Sequence, residues 1–342
     1  MPLVAAHFDI SGSSFYIQKS KKISGMFNFP YVYSKGIFSN QCTEKEFNKI
    51  LIEKVLSDWN ISPSRCNLIT SGFMDAPEVD LKTKFSIGVV DLIESSDELL
   101  PVFINDCSFI TKGVLNSYVS SKDAVMDTTN RDFGDRDQTA NLSVYPNMIS
   151  KDLSAQASLD SRLFQRIPKN FQFESGRKIV FTGGRFSQPV VDKELDYILI
   201  LEALKGHGFF EIYMDNFNAF SLFKTIQMYD RDIDIPTSEY IKSLGTFIKT
   251  GGSAECLLST GMGNDQFIEI EENKIFVLPL NVQNPAKLSV KSSVLGTIDI
   301  RTSGGDVGLV FDTRVEDTSI YSDVKILNDC IRQFSEILKK DK

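Results

Sequence analysis

The sequence predicts an α/β protein: two successive α/β blocks, a β-rich segment, and a closing helix. Three observations carry this. Residues 3–18, LVAAHFDISGSSFYIQ, run apolar, turn through Ser11-Gly12-Ser13-Ser14 and resume β-prone, the pattern of a strand hairpin. Residues 178–214 give an apolar strand, a Gly183-Gly184 turn, a helical stripe and another strand, which is a parallel α/β unit. From Gly251 onward the chain breaks into short alternating segments separated by glycines, as in a small antiparallel sheet or barrel.

The elements follow in order. After the first hairpin, residues 25–38 are aromatic and alternating, another strand with its turn. Thr43 and Glu46 have capping-box spacing, and Phe47, Ile50, Leu51, Val55 and Trp59 follow as one helical stripe that Pro63 closes. Residues 66–70 read as a buried strand, and residues 99–109 as another, with PVFIND ending at Asp106. Residues 123–146 resemble a second hairpin: Ala124-Val125-Met126 leads into Asp127-Thr128-Thr129, and 141–145 returns. The loop between holds Asn130, Asp132, Asp135 and Asp137 but lacks the closing Glu of a calcium loop, so a solvated acidic loop is expected. Residues 154–164 have helical character. Asp192 caps a helix through Leu195, Ile198, Leu199 and Glu202 that stops near Gly206. A strand over 209–214 follows, then Phe217, Phe220 and Phe223 at helical spacing. Strands are expected at 267–271, 274–280, 287–291, 295–301 and 307–312, and an amphipathic helix over 321–339.

Composition excludes several function classes. A net charge of -8 and a pI near 5.0 argue against a nucleic-acid binder. The five cysteines are dispersed with no CxxC spacing, which fits reduced thiols in the cytosol better than a disulfide frame or zinc site. The two histidines, His7 and His207, form no local metal motif. No leader and no membrane span are expected, so the compartment predicted is cytoplasmic. There is no P-loop, and Ser71-Gly72 lacks the context of a nucleophile elbow.

Read from residues alone, the first turn is either an ordinary Gly/Ser hairpin or an anion-binding concavity. In the second case its successive backbone N–H groups would face a phosphate, and the tip carboxylate of Asp9, expected to be exposed, would hold hydrated Mg²⁺. The order of the motifs adds to this. Phe8-Asp9-Ile10-Ser11-Gly12-Ser13-Ser14, then Val125-Met126-Asp127-Thr128-Thr129, then Val180-Phe181-Thr182-Gly183-Gly184 resembles the actin/Hsp70/sugar-kinase (ASKHA) superfamily. Within it, Ser303-Gly304-Gly305-Asp306-Val307-Gly308-Leu309-Val310-Phe311-Asp312-Thr313-Arg314 is similar to the closing GG-x-x-G-L-x-x-D-x-R segment of the glutamate-mutase-associated MutL (GlmL) family. Residues 210–223 resemble that family's strand before the last part of its second domain.

The resemblance implies two ribonuclease-H-like actin-type domains, at 1–120 and 121–250, then a β-rich region at 251–318 and a C-terminal helix at 319–342. It implies ATP and Mg²⁺ as cofactors. Asp9 and Asp127 would hold the metal, Gly12, Ser13, Ser14, Thr128 and Thr129 the phosphates, and Gly183-Gly184 the adenosine. It also implies a protein partner of unknown identity that is reactivated or assembled. The sequence departs from the pattern where Ser11 and Thr128-Thr129-Asn130 replace glycines, which hinders close approach of a phosphate to the backbone. Three functions stay open: an actin-like ATPase-fold protein with a partner-handling role and a degenerate site, a metabolite kinase or other phosphoryl-transfer enzyme, and a nucleotide-free scaffold. No catalytic residue is assigned. Asp127, Asp106 and Asp132 are candidate bases by residue type only.

Overall fold

The computed structural model describes residues 1–9, 12–20, 23–30, 44–72, 83–105, 108–112, 114, 167, 171–187, 193–231, 237–260, 265–280, 285–315 and 319–340. The expected second hairpin with Asp127, Thr128 and Thr129, its acidic loop, the helix at 154–164, Asp106, Thr43 and Asp192 lie outside the described residues.

The first sheet has the order β3-β2-β1-β4-β5. Its strands are β1 (Leu3–Phe8), β2 (Gly12–Ser20), β3 (Ile23–Pro30), β4 (Asn67–Gly72) and β5 (Thr83–Gly88). β1, β2 and β3 form an antiparallel meander, while β4 and β5 run parallel to β1. This is the ribonuclease-H-like arrangement. Alternation in β1 sends Val4, Ala6 and Phe8 to one face and Leu3 and Ala5 to the other, and both faces are covered. Helix α1 (Glu44–Asp58) packs on the first face through Leu51, Ile52, Val55 and Leu56. The predicted stripe is corrected at one position. Ile50 is 51% exposed, because α1 turns Asn48, Ile52 and Val55 inward instead.

The second sheet has seven strands, in the order β13-β16-β10-β9-β8-β6-β7. They are β6 (Leu99–Asn105), β7 (Ser108–Thr111), β8 (Arg177–Thr182), β9 (Gly208–Asp215), β10 (Ile241–Lys249), β13 (Ile275–Leu278) and β16 (Gly308–Asp312). β6 and β7 form an antiparallel hairpin, and β6, β8 and β9 run parallel. The order β7-β6-β8-β9 therefore repeats β2-β1-β4-β5 in both sequence and strand direction. The short helix α2 (Val89–Glu94) links the sheets. Helix α3 (Lys193–Ala203) joins β8 to β9, and α4 (Ala219–Tyr229) leaves the end of β9. α4 packs on the open face of the first sheet, where Leu222, Phe223 and Ile226 meet Leu3, Ala5, Tyr16 and Ile69. A helix from the second half thus forms the floor under the first.

The segment after Gly251 divides between two sheets. β13 and β16 join the seven-stranded sheet. β11 (Ala254–Ser259), β12 (Asp265–Ile270), β14 (Ala286–Ser292) and β15 (Gly296–Thr302) form an antiparallel sheet of their own. Its inner face, with Cys256, Leu258, Leu288 and Val290, packs against Ile248, Leu309 and Phe311. The closing helix α5 (Val324–Lys340) buries Cys330, Phe334 and Ile337 against the second sheet, while Val324 at its first position is exposed. No helix among the described residues is long and apolar enough to cross a membrane.

Candidate functional site

The two repeated hairpins and the glycine turn meet where the halves face each other. The first hairpin is closed by Asp9 N–H donating to the Gly12 carbonyl at 2.8 Å. Asp9, Ser13 and Ser14 have 0% exposure, which corrects the expectation of an exposed tip carboxylate. Ser14 is covered from the second half by Asn218 and Ser13 from the first by Asn48. His7 on β1 lies 6.4 Å from Phe103 on β6, the equivalent strand of the second half.

The glycine turn begins at the end of β8, and Gly183 takes φ +108°, a left-handed-side conformation that a side chain disfavours. Phe103 is in register with Thr182, and Arg185 N–H donates to the Ile104 carbonyl at 3.2 Å. The end of β6 therefore stands beside the turn, in the position topologically equivalent to the end of β1. The two residues between Asn105 and Ser108 are Asp106 and Cys107, outside the described set. The sequence reading took residues 99–109 as a single strand and so missed this hairpin.

Asn218 connects the turn to the first hairpin. Its Oδ1 accepts from Gly183 N–H at 3.0 Å, and its Nδ2 donates to Ser14 Oγ at 3.1 Å. Ser14 Oγ in turn donates to Asn28 Oδ1 at 3.2 Å, and Asn28 Nδ2 donates to the Ser187 carbonyl at 2.9 Å. Ser13 Oγ donates to Asn48 Oδ1 on α1 at 2.7 Å, which explains why an asparagine occupies that helix's buried face. Asn218 precedes α4 with φ 55° and ψ 29°, a conformation Asn tolerates better than most residues.

Asp215, at the end of β9, fixes the start of α4. Its carboxylate accepts from the N–H groups of Phe217, Ala219 and Phe220 at 3.0, 2.9 and 2.9 Å, and from Thr182 Oγ1 at 2.9 Å. Burial raises its pKa, while those hydrogen bonds and the helix N-terminus favour the charged form. His7 is likewise buried; its Nδ1 lies 3.0 Å from Ser71 Oγ, and desolvation pushes its pKa down to about 3.

Of the residues assigned from sequence, Ser14 and Gly183 meet through Asn218. Asp9, Gly12 and Ser13 belong to the same hairpin, and Gly184 to the same turn. Asn28, Asn48, Asp215 and Asn218 were missed, since isolated asparagines between strands and helices carry no spacing signal. Asn218, three residues past a strand-ending Asp and just before an apolar helix, was the most readable of them.

The segment carrying the family likeness has a structural explanation. Gly245 on β10 pairs in register with Gly308 on β16, and a Cβ on Gly245 (φ +125°) would run into the Gly308 carbonyl. A Cβ on Gly305 would likewise meet the Leu244–Gly245 backbone. The Asp-x-Arg pair forms a buried ion cluster: Arg314 Nη2 donates to Asp312 Oδ2 at 2.7 Å and Nη1 to Glu202 Oε1 at 2.8 Å. Burial alone would raise the Asp312 pKa, yet Lys249 and Arg314 outweigh it and hold it at about 2.

No family model matches the chain, and no curated protein matches its sequence. Among solved structures, it is similar to the activator of 2-hydroxyisocaproyl-CoA dehydratase from Clostridium difficile with bound ADPNP, at 8% identity and a TM-score of 0.33, over 69% of this chain and 99% of that one. It is also similar to component A of the (R)-2-hydroxyglutaryl-CoA dehydratase of Acidaminococcus fermentans, at 8% identity and a TM-score of 0.31, over 66% and 96%. A Ppx/GppA phosphatase of Aquifex aeolicus follows at 10% identity and a TM-score of 0.20, over 55% and 69%. These likenesses are remote, and the fold rests on strand order and direction.

Proposed function

We propose that this chain is an actin-like ATPase-fold protein with a degenerate nucleotide cleft, acting as an assembly or partner-handling scaffold. One observation carries the reading: Gly183, Ser13 and Ser14, which the resemblance assigns to a nucleotide, are each engaged by an asparagine of the chain. A nucleotide needs donors not already taken by protein, and here Gly183 N–H in the adenosine turn is held by Asn218, and Ser14 and Ser13 in the first phosphate loop by Asn28 and Asn48. Asp9 has no exposed surface from which to hold hydrated Mg²⁺. Among the described residues, Gly183, Ser13 and Ser14 would have to release their asparagine partners to receive ATP–Mg²⁺, and no chemical step is assigned to them. Asp215, the carboxylate at the glycine turn, is committed to the start of α4 and to Thr182, so it is not available as a base for phosphoryl transfer.

The partner-handling half of the reading draws on the resemblance of residues 303–314. The outer face of the four-stranded sheet is in keeping with it, since Phe267 is 62% exposed directly opposite exposed Leu257. We place the boundary between the halves at 95–98, between α2 and β6, because β6 and β7 hydrogen-bond into the second sheet.

Thermal unfolding with and without ATP–Mg²⁺ tests the cleft. A ligand present at about a hundred times its Kd would add about 2.7 kcal/mol of stability. The expected result is no shift at millimolar ATP–Mg²⁺. A saturable upward shift of the midpoint would overturn the degenerate reading.

A further inference from the structure

The hydrogen bonds between the halves close on themselves. They run from Gly183 N–H to Asn218, from Asn218 to Ser14, from Ser14 to Asn28, and from Asn28 to the Ser187 carbonyl, back in the same turn. Each amide has only one workable orientation. Turning Asn218 over would set its NH₂ against the Gly183 N–H, and turning Asn28 over would set its carbonyl against that of Ser187. Ser14 then has one role left: it accepts from Asn218 and donates to Asn28. Ser14 and Asn218 are buried and Asn28 is half-buried, so a missing member leaves its neighbours unsatisfied away from water.

We propose that this ring is a cooperative latch between the first hairpin and the glycine turn. In it the Asn218 side-chain carbonyl accepts from the Gly183 N–H, a donor of the turn that the resemblance assigns to the adenosine. The inference deepens the reading of a degenerate cleft and names what closes it. Four elements supply the members: β2 and β3 from the first sheet, and the glycine turn and the approach to α4 from the second half. The ring therefore fixes the relative position of the halves as a unit and does not act as four separate contacts.

The test is a double-mutant cycle on the full chain, using Asn218→Gly, which keeps the left-handed backbone accessible, and Asn28→Ala. The two residues meet through Ser14, so coupling between them reports the ring. Each single substitution should lower the denaturation midpoint, and the double substitution should lower it by less than their sum. In Asn28→Ala, exchange of the Gly183 amide should rise at least tenfold, although Asn28 does not touch it. Additive losses, or an unchanged Gly183 exchange rate in Asn28→Ala, would overturn the latch. If Asn218→Gly does not fold, the Gly183 exchange rate in Asn28→Ala decides alone. These measurements use ligand-free protein. Nucleotide binding by the wild type would sink the degenerate-cleft reading without touching the coupling, and additive substitutions would sink the latch without restoring a nucleotide site.

Discussion

His7 sits at the seam between the halves and is buried neutral, with its pKa lowered from 6.5 to about 3 by desolvation. Between those values the unfolded chain binds a proton that the folded chain refuses, so stability rises as pH rises through that window and is flat above it. Asp215, whose pKa is raised by burial, contributes with the opposite sign, so the histidine is best read as a difference. We expect His7→Phe to flatten the rise of stability between pH 4 and pH 6 relative to wild type, in urea melts across that range. An equal slope in both proteins would show that His7 is solvated or paired. Gly245 offers a second residue-scale test, because its φ of +125° and the facing Gly308 carbonyl both exclude a side chain. Gly245→Ala should cost at least about 1–3 kcal/mol in a denaturant melt, and a neutral result would contradict the close strand approach.

At the scale of elements, the end of β16 is pinned by charge. Arg314 joins Asp312 to Glu202 of α3, and Glu202 also accepts from Ile320 N–H at 2.7 Å, which ties the chain leading into α5 to the same point. Removing one member of such a cluster leaves buried charge uncompensated, so Arg314→Ala should cost about 3–5 kcal/mol. Arg314→Lys should recover only part of it, because an ammonium cannot reproduce the forked geometry. Near-wild-type melts for Arg314→Ala would show the cluster to be dispensable. Helix α5 also closes a sheet edge: the Gln333 amide accepts from Val277 N–H at 3.0 Å and donates to the Ile275 carbonyl at 2.8 Å, so β13 does not present a bare edge there. The elements most legible in the sequence were those with strong local patterns: the first hairpin, β8 with its glycine turn, β9, and α5. β5, β7, β10, β11 and the short α2 were missed. β7 has four residues and follows β6 with no Gly or Pro between them, and β10 breaks its alternation at Gly245, where the register with β9 also shifts.

On the scale of the whole molecule, the repeat of β2-β1-β4-β5 as β7-β6-β8-β9 could not be read from residues, because pairing between distant strands leaves no local trace. The same holds for the closure of the halves. It depends on single asparagines contributed from β3 and the start of α4, whereas the sequence signal lay in the glycines and serines beside them. The first hairpin and the Thr182-Gly183-Gly184 turn were found, and what engages them was not. The chain's own side chains satisfy the glycine turn. Native-state hydrogen exchange at the Gly183 amide, with and without millimolar ATP–Mg²⁺, tests this most directly. Exchange should be as slow as in the core strands β1 and β8, and unchanged by the nucleotide. Fast exchange in the free protein that slows when ATP–Mg²⁺ is added would contradict it.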